Sequence, residues 1–190
     1  MAAMTPEERL AQLVAAEAAG APLDLLGFWG HRPDPDGSTG TGCLSQWWPQ
    51  PFTVDGVVYP TAEHWMMAGK ARLFDDAEGL AAVLGAASPG AAKAAGRKVR
   101  GFDEARWRDA RYPLVVAGNV AKFTQHADLA GVLRRTGRRV LVEASPYDRI
   151  WGIGMSRTHE DFGRPSRWRG LNLLGFALMD VRERLNGVRP

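Results

Sequence analysis

The chain has 190 residues, enough for one domain with a single buried core. At 45% hydrophobic and 24% charged residues its balance is that of an ordinary globular protein, and no apolar run approaches the roughly 18 residues of a membrane span. The net charge of +3 and a pI near 9.3 favour phosphate-bearing ligands in general terms without establishing nucleic-acid binding, and the single cysteine, Cys43, excludes an internal disulfide.

Thr5 caps a helix over residues 5–19, with Pro6 in the first turn, Glu8 completing a capping box and Gly20 ending it. The opening MAAMTPEERL lacks the apolar core of a secretory signal; with the lone cysteine this fits a reducing, cytoplasmic setting. Residues 1–22 read as a helical extension ahead of a main domain over residues 23–190. Residues 25–29 read as a strand, and residues 31–42, rich in Gly, Pro, Asp and Ser, as a mobile loop. Asp55-Gly56 between two short apolar runs has the chemistry of a two-residue hairpin turn.

Pro60-Thr61 opens a helix to about Phe74, and Ser88-Pro89 opens another to about Val99. Asp103 caps a long helix reaching about Phe123, with a bend expected at Pro113. Residues 126–135 read as helix up to Gly137, and residues 139–144 as a buried strand. The last helix, residues 172–185, aligns Leu174, Leu178, Val181 and Leu185 on one stripe, with its arginines on a solvated face. The sum is an α+β fold: a helix-dominated single domain with a small β-sheet.

Three segments carry candidate chemistry. In the first, Glu63 and Lys70 stand seven residues apart, two helical turns, with Met67 between them on the same stripe. A carboxylate and an amine on an apolar face are costly unless paired or used, and an apolar setting lowers a lysine pKa toward a nucleophilic amine. The alternative is a surface lysine and a glutamate that favours a helix N-terminus. In the second, residues 145–154 follow the predicted buried strand. Asp148 there is an acid–base group or ribose acceptor, or else the side chain of an Asx-turn; Trp151 offers a flat face for a base, or else packs in the core. Gly152 lets backbone approach a ligand. In the third, the helix start at Ser88-Pro89 followed by Lys93 and Arg97 suits a phosphate, or is a capped surface helix with solvated charges. Trp47-Trp48 beside the Gly-rich loop suit a pocket wall. No phosphate-binding glycine fingerprint, nucleophile elbow or zinc spacing is present, and Cys43 reads as a packed side chain rather than a nucleophile.

Read together, Cys43 to Pro49, Pro51-Phe52, Asp55-Gly56, Tyr59 to His64, Lys70-Ala71, Ser88-Pro89 to Arg97, Lys122-Phe123, Leu141 to Ser145, Asp148, Trp151 to Gly154 and Gly170 to Gly175 occur in an order that resembles the NADAR (YbiA-like) family, from about residue 28 to residue 185. The resemblance implies a hydrolase without metal or cofactor. It would cleave the N-glycosidic bond between a ribose-phosphate and a base, either in riboflavin-pathway intermediates carrying ribose 5-phosphate or in ADP-ribosylated guanine of nucleic acid. It implies Glu63, Asp148 and Trp151 as active-site residues and Lys70 as a candidate covalent catalyst. Trp151, Gly152, Lys93, Arg97, Trp107 and Asn172 form the expected substrate-binding set. The expected partner is a small ribose-phosphate glycosylamine or ADP-ribosylated nucleic acid, with no membrane and no obligate protein partner. A module that binds ADP-ribose or NAD without turnover is the alternative. The chain departs from the family's usual Asn-Phe-Tyr run at Ser45 to Trp48, and from its aromatic-Gln-Ala run at Trp65-Met66-Met67.

Overall fold

The structure is a computed structural model that describes residues 4–187; the outermost residues of the expected extension and domain, 1–3 and 188–190, lie outside it. The described residues divide into two compact units. One joins the chain up to Trp29 with the chain from Val132 onward, and the other is Gly30–Gly131.

In the first unit, α1 (Pro6–Ala18) starts as expected. The Thr5 side chain accepts from the Glu8 N–H while Glu8 reaches back to the Thr5 N–H, so two orphan donors are satisfied reciprocally. β1 (Leu25–Phe28) pairs in parallel with β4 (Val140–Glu143), Leu25 opposite Val140 and Phe28 opposite Glu143. Val142, Ile153 and Met155 form a buried cluster beside this pair, with Leu25, Val140, Phe162 and Trp168 packed on it. α7 (Leu173–Gly187) packs on β4 and buries Leu174, Leu178, Val181 and Leu185, the stripe that the spacing predicts.

In the second unit, β2 (Phe52–Val54) and β3 (Val57–Tyr59) form the antiparallel hairpin. Asp55 and Gly56 both take positive φ, as a two-residue hairpin turn demands. The single small sheet expected from sequence is thus two separate two-stranded pairs, one parallel and one antiparallel.

α2 (Ala62–Leu73) is capped by Thr61 and packs against α3 (Ala77–Leu84), α4 (Pro89–Gly96) and α5 (Glu104–Gln125). A helix enclosed on three sides must be apolar nearly all round, and Ala62, Met66, Met67, Ala68 and Ala71 are buried. α5 continues through Pro113 as one helix. α3 goes unread in the sequence. Asp76 caps it, and the N–H of Arg100, then its guanidinium, hold that carboxyl down to about 2. α6 (Ala127–Arg135) completes the described helices.

Lys122 on α5 is fully buried, and its ammonium donates to the carbonyls of Cys43 (2.7 Å) and Ser45 (3.0 Å). Burial pushes its pKa down to about 8. Between that value and the ordinary lysine range the unfolded chain holds one more proton than the folded one, so this group's contribution to stability rises with pH across that window. Urea unfolding of the parent and Lys122→Met should show the difference between them moving in the parent's favour by about 3 kcal/mol from pH 7 to 10.5. A flat difference would mean that Lys122 titrates normally.

Candidate active site

Glu63 sits in the first turn of α2 and is 2% exposed. Its N–H donates to the carbonyl of Gln46 (3.0 Å), and its Oε2 accepts from the indole Nε1 of Trp47 (3.3 Å). Neighbouring His64 is committed to the fold. Its Nε2 lies 3.1 Å from the Ala86 carbonyl, which only accepts, so that nitrogen carries the proton and Nδ1 faces the Thr61 hydroxyl at 2.8 Å.

Two turns on, Lys70 places its ammonium 4.1 Å from the centre of the Phe102 ring and 5.7 Å from that of Trp107. Loss of water beside these rings lowers its pKa below the ordinary lysine value; the Glu104 carboxylate pulls it back up and the Arg97 guanidinium pushes it further down. The rings stabilise the ammonium through their faces, which partly offsets the loss of water.

α4 and its C-cap residue supply the cations. Lys93 stands 6.0 Å over the Trp47 ring, and the charge of exposed Arg97 is felt at Lys70. Gly96 makes the close approach possible: a Cβ there would run into the sulfur of Met67, the α2 residue between Glu63 and Lys70. One face of α2 thus gathers Glu63, Lys70, Lys93, Arg97 and Trp107 within one unit.

Asp148, Trp151, Gly152 and Asn172 lie in the other unit, at the carboxyl end of β4. Asp148 makes the Asx-turn: its Oδ1 accepts from the N–H groups of Ile150 (2.8 Å) and Trp151 (2.7 Å). Trp151 is half-buried, and its carbonyl receives the N–H of Leu174 at 3.0 Å. Gly152 is buried, and a Cβ on it would meet the carbonyl oxygens of Glu143 (2.8 Å) and Asp148 (3.1 Å), so it serves a tight chain crossing. Asn172 is fully buried in a left-handed conformation; its amide oxygen accepts from Glu143 N–H and its amide nitrogen donates to the Leu141 carbonyl, each at 2.9 Å. That side chain braces β4. Nearby, Trp29 and Tyr147 are exposed with ring centres 6.3 Å apart, each just past the end of one of the two parallel strands.

Sequence reasoning missed Phe102 and Glu104 as neighbours of Lys70. The signal was present: Phe102 precedes the Asp103 cap, where an apolar residue commonly folds back over the helix start. Among the described residues no group of three or more His, Cys, Asp or Glu side chains is arranged to hold a metal, and no helix is long and apolar enough to cross a membrane.

A family profile described as the NADAR domain matches residues 27–186. The chain belongs to the NADAR family. It is 38% identical over 149 residues to N-glycosidase R617 of Acanthamoeba polyphaga mimivirus, covering 76% of this chain and 88% of that protein. It is 32% identical over 135 residues to N-glycosidase YbiA of Escherichia coli strain K12, covering 71% and 76%. The solution NMR structure of the E. coli protein YbiA superposes with a TM-score of 0.69 at 29% identity, over 87% of this chain and 88% of that one. The helix-rich α+β fold with small sheets is therefore that of YbiA, and α1 precedes the matched NADAR segment.

The chain has four lysines, of which Lys70 and Lys122 have lowered pKa values and Lys122 is sealed from solvent. Brief acetylation at pH 7.5, mapped by mass spectrometry, should modify Lys70 faster than Lys98, because more of its amine is neutral. Equal rates would remove the claim that Lys70 is the more reactive amine.

Proposed function

We propose that this NADAR protein hydrolyses the N-glycosidic bond between a ribose-phosphate and an exocyclic amine of a base. The substrate class is a riboflavin-pathway intermediate carrying ribose 5-phosphate, or ADP-ribose on guanine. The observation that carries this reading is the α2 face: a buried carboxylate, an amine with lowered pKa near two aromatic rings, and two cations, Lys93 on α4 and Arg97 at its C-cap. Relatives named N-glycosidases support the reaction type.

Both substrate types leave a hydrogen on the amine that joins ribose C1. The ring C1–O bond can therefore break to give an imine: the Glu63 carboxylate takes the proton of that amine and delivers it to the ring oxygen, which leaves as a hydroxyl. The neutral Lys70 amine adds to C1, the base amine departs with a proton, and a Schiff base to Lys70 remains. Water adds to C1 and the C1–N bond to Lys70 breaks, releasing the sugar and the free amine. Lys93 and Arg97 hold the phosphate. Asp148 and Trp151 enter from the family resemblance, Asp148 as a second proton carrier and Trp151 as a face for the base. A module that only binds ADP-ribose or NAD has no use for a lysine of lowered pKa two turns along a helix from a buried carboxylate.

Incubation with each substrate type and borohydride should leave a reduced sugar adduct on Lys70, and mass analysis of the released base identifies the substrate. Full activity in Lys70→Ala would sink the covalent route in favour of direct attack by water, which leaves no adduct and tolerates Lys70→Arg. For Asp148 the informative change is Asn, which keeps the oxygen that makes the Asx-turn and removes the charge. Asp148→Asn should unfold at the parent's temperature and lose about 100-fold or more in kcat. Parent-like kcat would leave Asp148 as a turn residue alone.

A further inference from the structure

We infer that Trp47 is a positioning residue for Glu63, its indole N–H fixing the orientation of the carboxylate and favouring its charged form. This rests on Glu63 being a proton carrier in the proposed reaction. The indole Nε1 lies 3.3 Å from Glu63 Oε2. Trp65 and Trp168 direct their indole N–H to the backbone carbonyls of Leu114 and Phe162, so a donor aimed at a titratable acid is a different use of the same group.

Trp47 is held from both sides of the chain. Its own N–H donates to Ser45 Oγ at 3.1 Å, and the carbonyls of Cys43 and Ser45 are fastened to α5 by Lys122. The preceding residue, Gln46, accepts the Glu63 N–H through its carbonyl and the Asn119 amide N–H (2.8 Å) through its side chain. A Cβ added at Gly90, at the start of α4, would stand 3.6 Å from the Trp47 ring, and the His31 ring centre lies 5.7 Å away. A donor this constrained does not need to reorganise when charge develops on Glu63, and an N–H given to a buried carboxylate favours the ionised form.

Trp47→Phe keeps a flat ring and removes the donor. The other charged or titratable groups of the packed elements are unchanged by it: His64, Lys70 and Arg72 on α2, Asp76 and Glu78 at the start of α3, Lys93 on α4 with Arg97 at its C-cap, and Glu104, Arg106, Arg108, Asp109, Arg111 and Lys122 on α5. In full-length protein labelled with ¹³C at glutamate carboxyls, the Glu63 signal of Trp47→Phe should titrate about one pH unit higher than in the parent. The limb of the kcat/KM profile that Glu63 governs, measured on a ribosylamine 5-phosphate, should move the same way while KM changes little. An unmoved Glu63 titration overturns the inference.

A second measurement needs no Trp47 variant. In the parent, the ¹H–¹⁵N indole signal of Trp47 should shift with pH at the Glu63 midpoint, and Glu63→Gln should abolish that shift. An indole signal that ignores Glu63 also overturns the inference. Full activity in Glu63→Gln overturns the functional reading instead, and the two titrations still report on the hydrogen bond.

Discussion

Placing a glutamate inside an apolar helix bundle is the constraint around which the second unit is built. A carboxylate removed from water is costly unless donors meet it. Glu63 is held at the N-terminus of α2, where the helix dipole favours negative charge, and the Trp47 indole meets one of its oxygens. The segment that carries Trp47 has no regular structure beyond a short 3-10 turn at Thr41–Leu44, so its position is set by what it bonds to. Two residues of α5 one turn apart, Asn119 and Lys122, supply those bonds. Another buried charge, Lys122, is thereby explained by the first: its ammonium donates to two carbonyls of the very segment that must hold still.

Lys70 is handled differently. It is partly open, and aromatic faces replace water around it. Desolvation lowers its pKa while Glu104 opposes the shift, and Glu104 is itself shared with Arg111, whose guanidinium lies 3.8 Å away. Desolvation prevails, so the ammonium form is less favoured here than on an ordinary lysine. Arg97 adds to the effect of desolvation, its guanidinium disfavouring a second positive charge nearby.

How much of this the sequence displayed depends on the range of the interaction. Caps are local, so Thr5, Thr61, Ser88 and Asp103 mark their helices correctly, and the Asp55-Gly56 turn sets the hairpin. α3 escaped because its cap, Asp76, is held by Arg100, 24 residues away, and nothing local separates that cap from a loop aspartate. The Glu63–Met67–Lys70 stripe was legible as spacing. What surrounds it was legible only in part: Trp107 stood in the expected set, but Phe102 beside it at the start of α5, and the bond from Trp47 to Glu63, come from elsewhere in the chain. The reverse holds at Gly152 and Asn172, read as ligand contacts, whose observed partners are carbonyls and N–H groups of β4 and its loop. A position that recurs with a motif can serve the loop's shape as readily as its ligand.

The helix ahead of the matched NADAR segment follows the same logic of placement by polar bonds. No residue of α1 is buried, so hydrophobic area contributes little to its docking. Its attachments are directional instead: Arg9 pairs with Asp180 of α7, and both oxygens of Glu17 accept from Ser166, one from its N–H and one from its hydroxyl, each at 2.9 Å. The Glu17–Ser166 bonds are exposed and the Arg9–Asp180 pair is largely buried; both fix orientation. α1 therefore braces the turn at Pro165–Arg167 against α7 within the first unit, in a segment that carries Arg164, Arg167 and Arg169. An extension joined this way shapes a surface more than it supports a core.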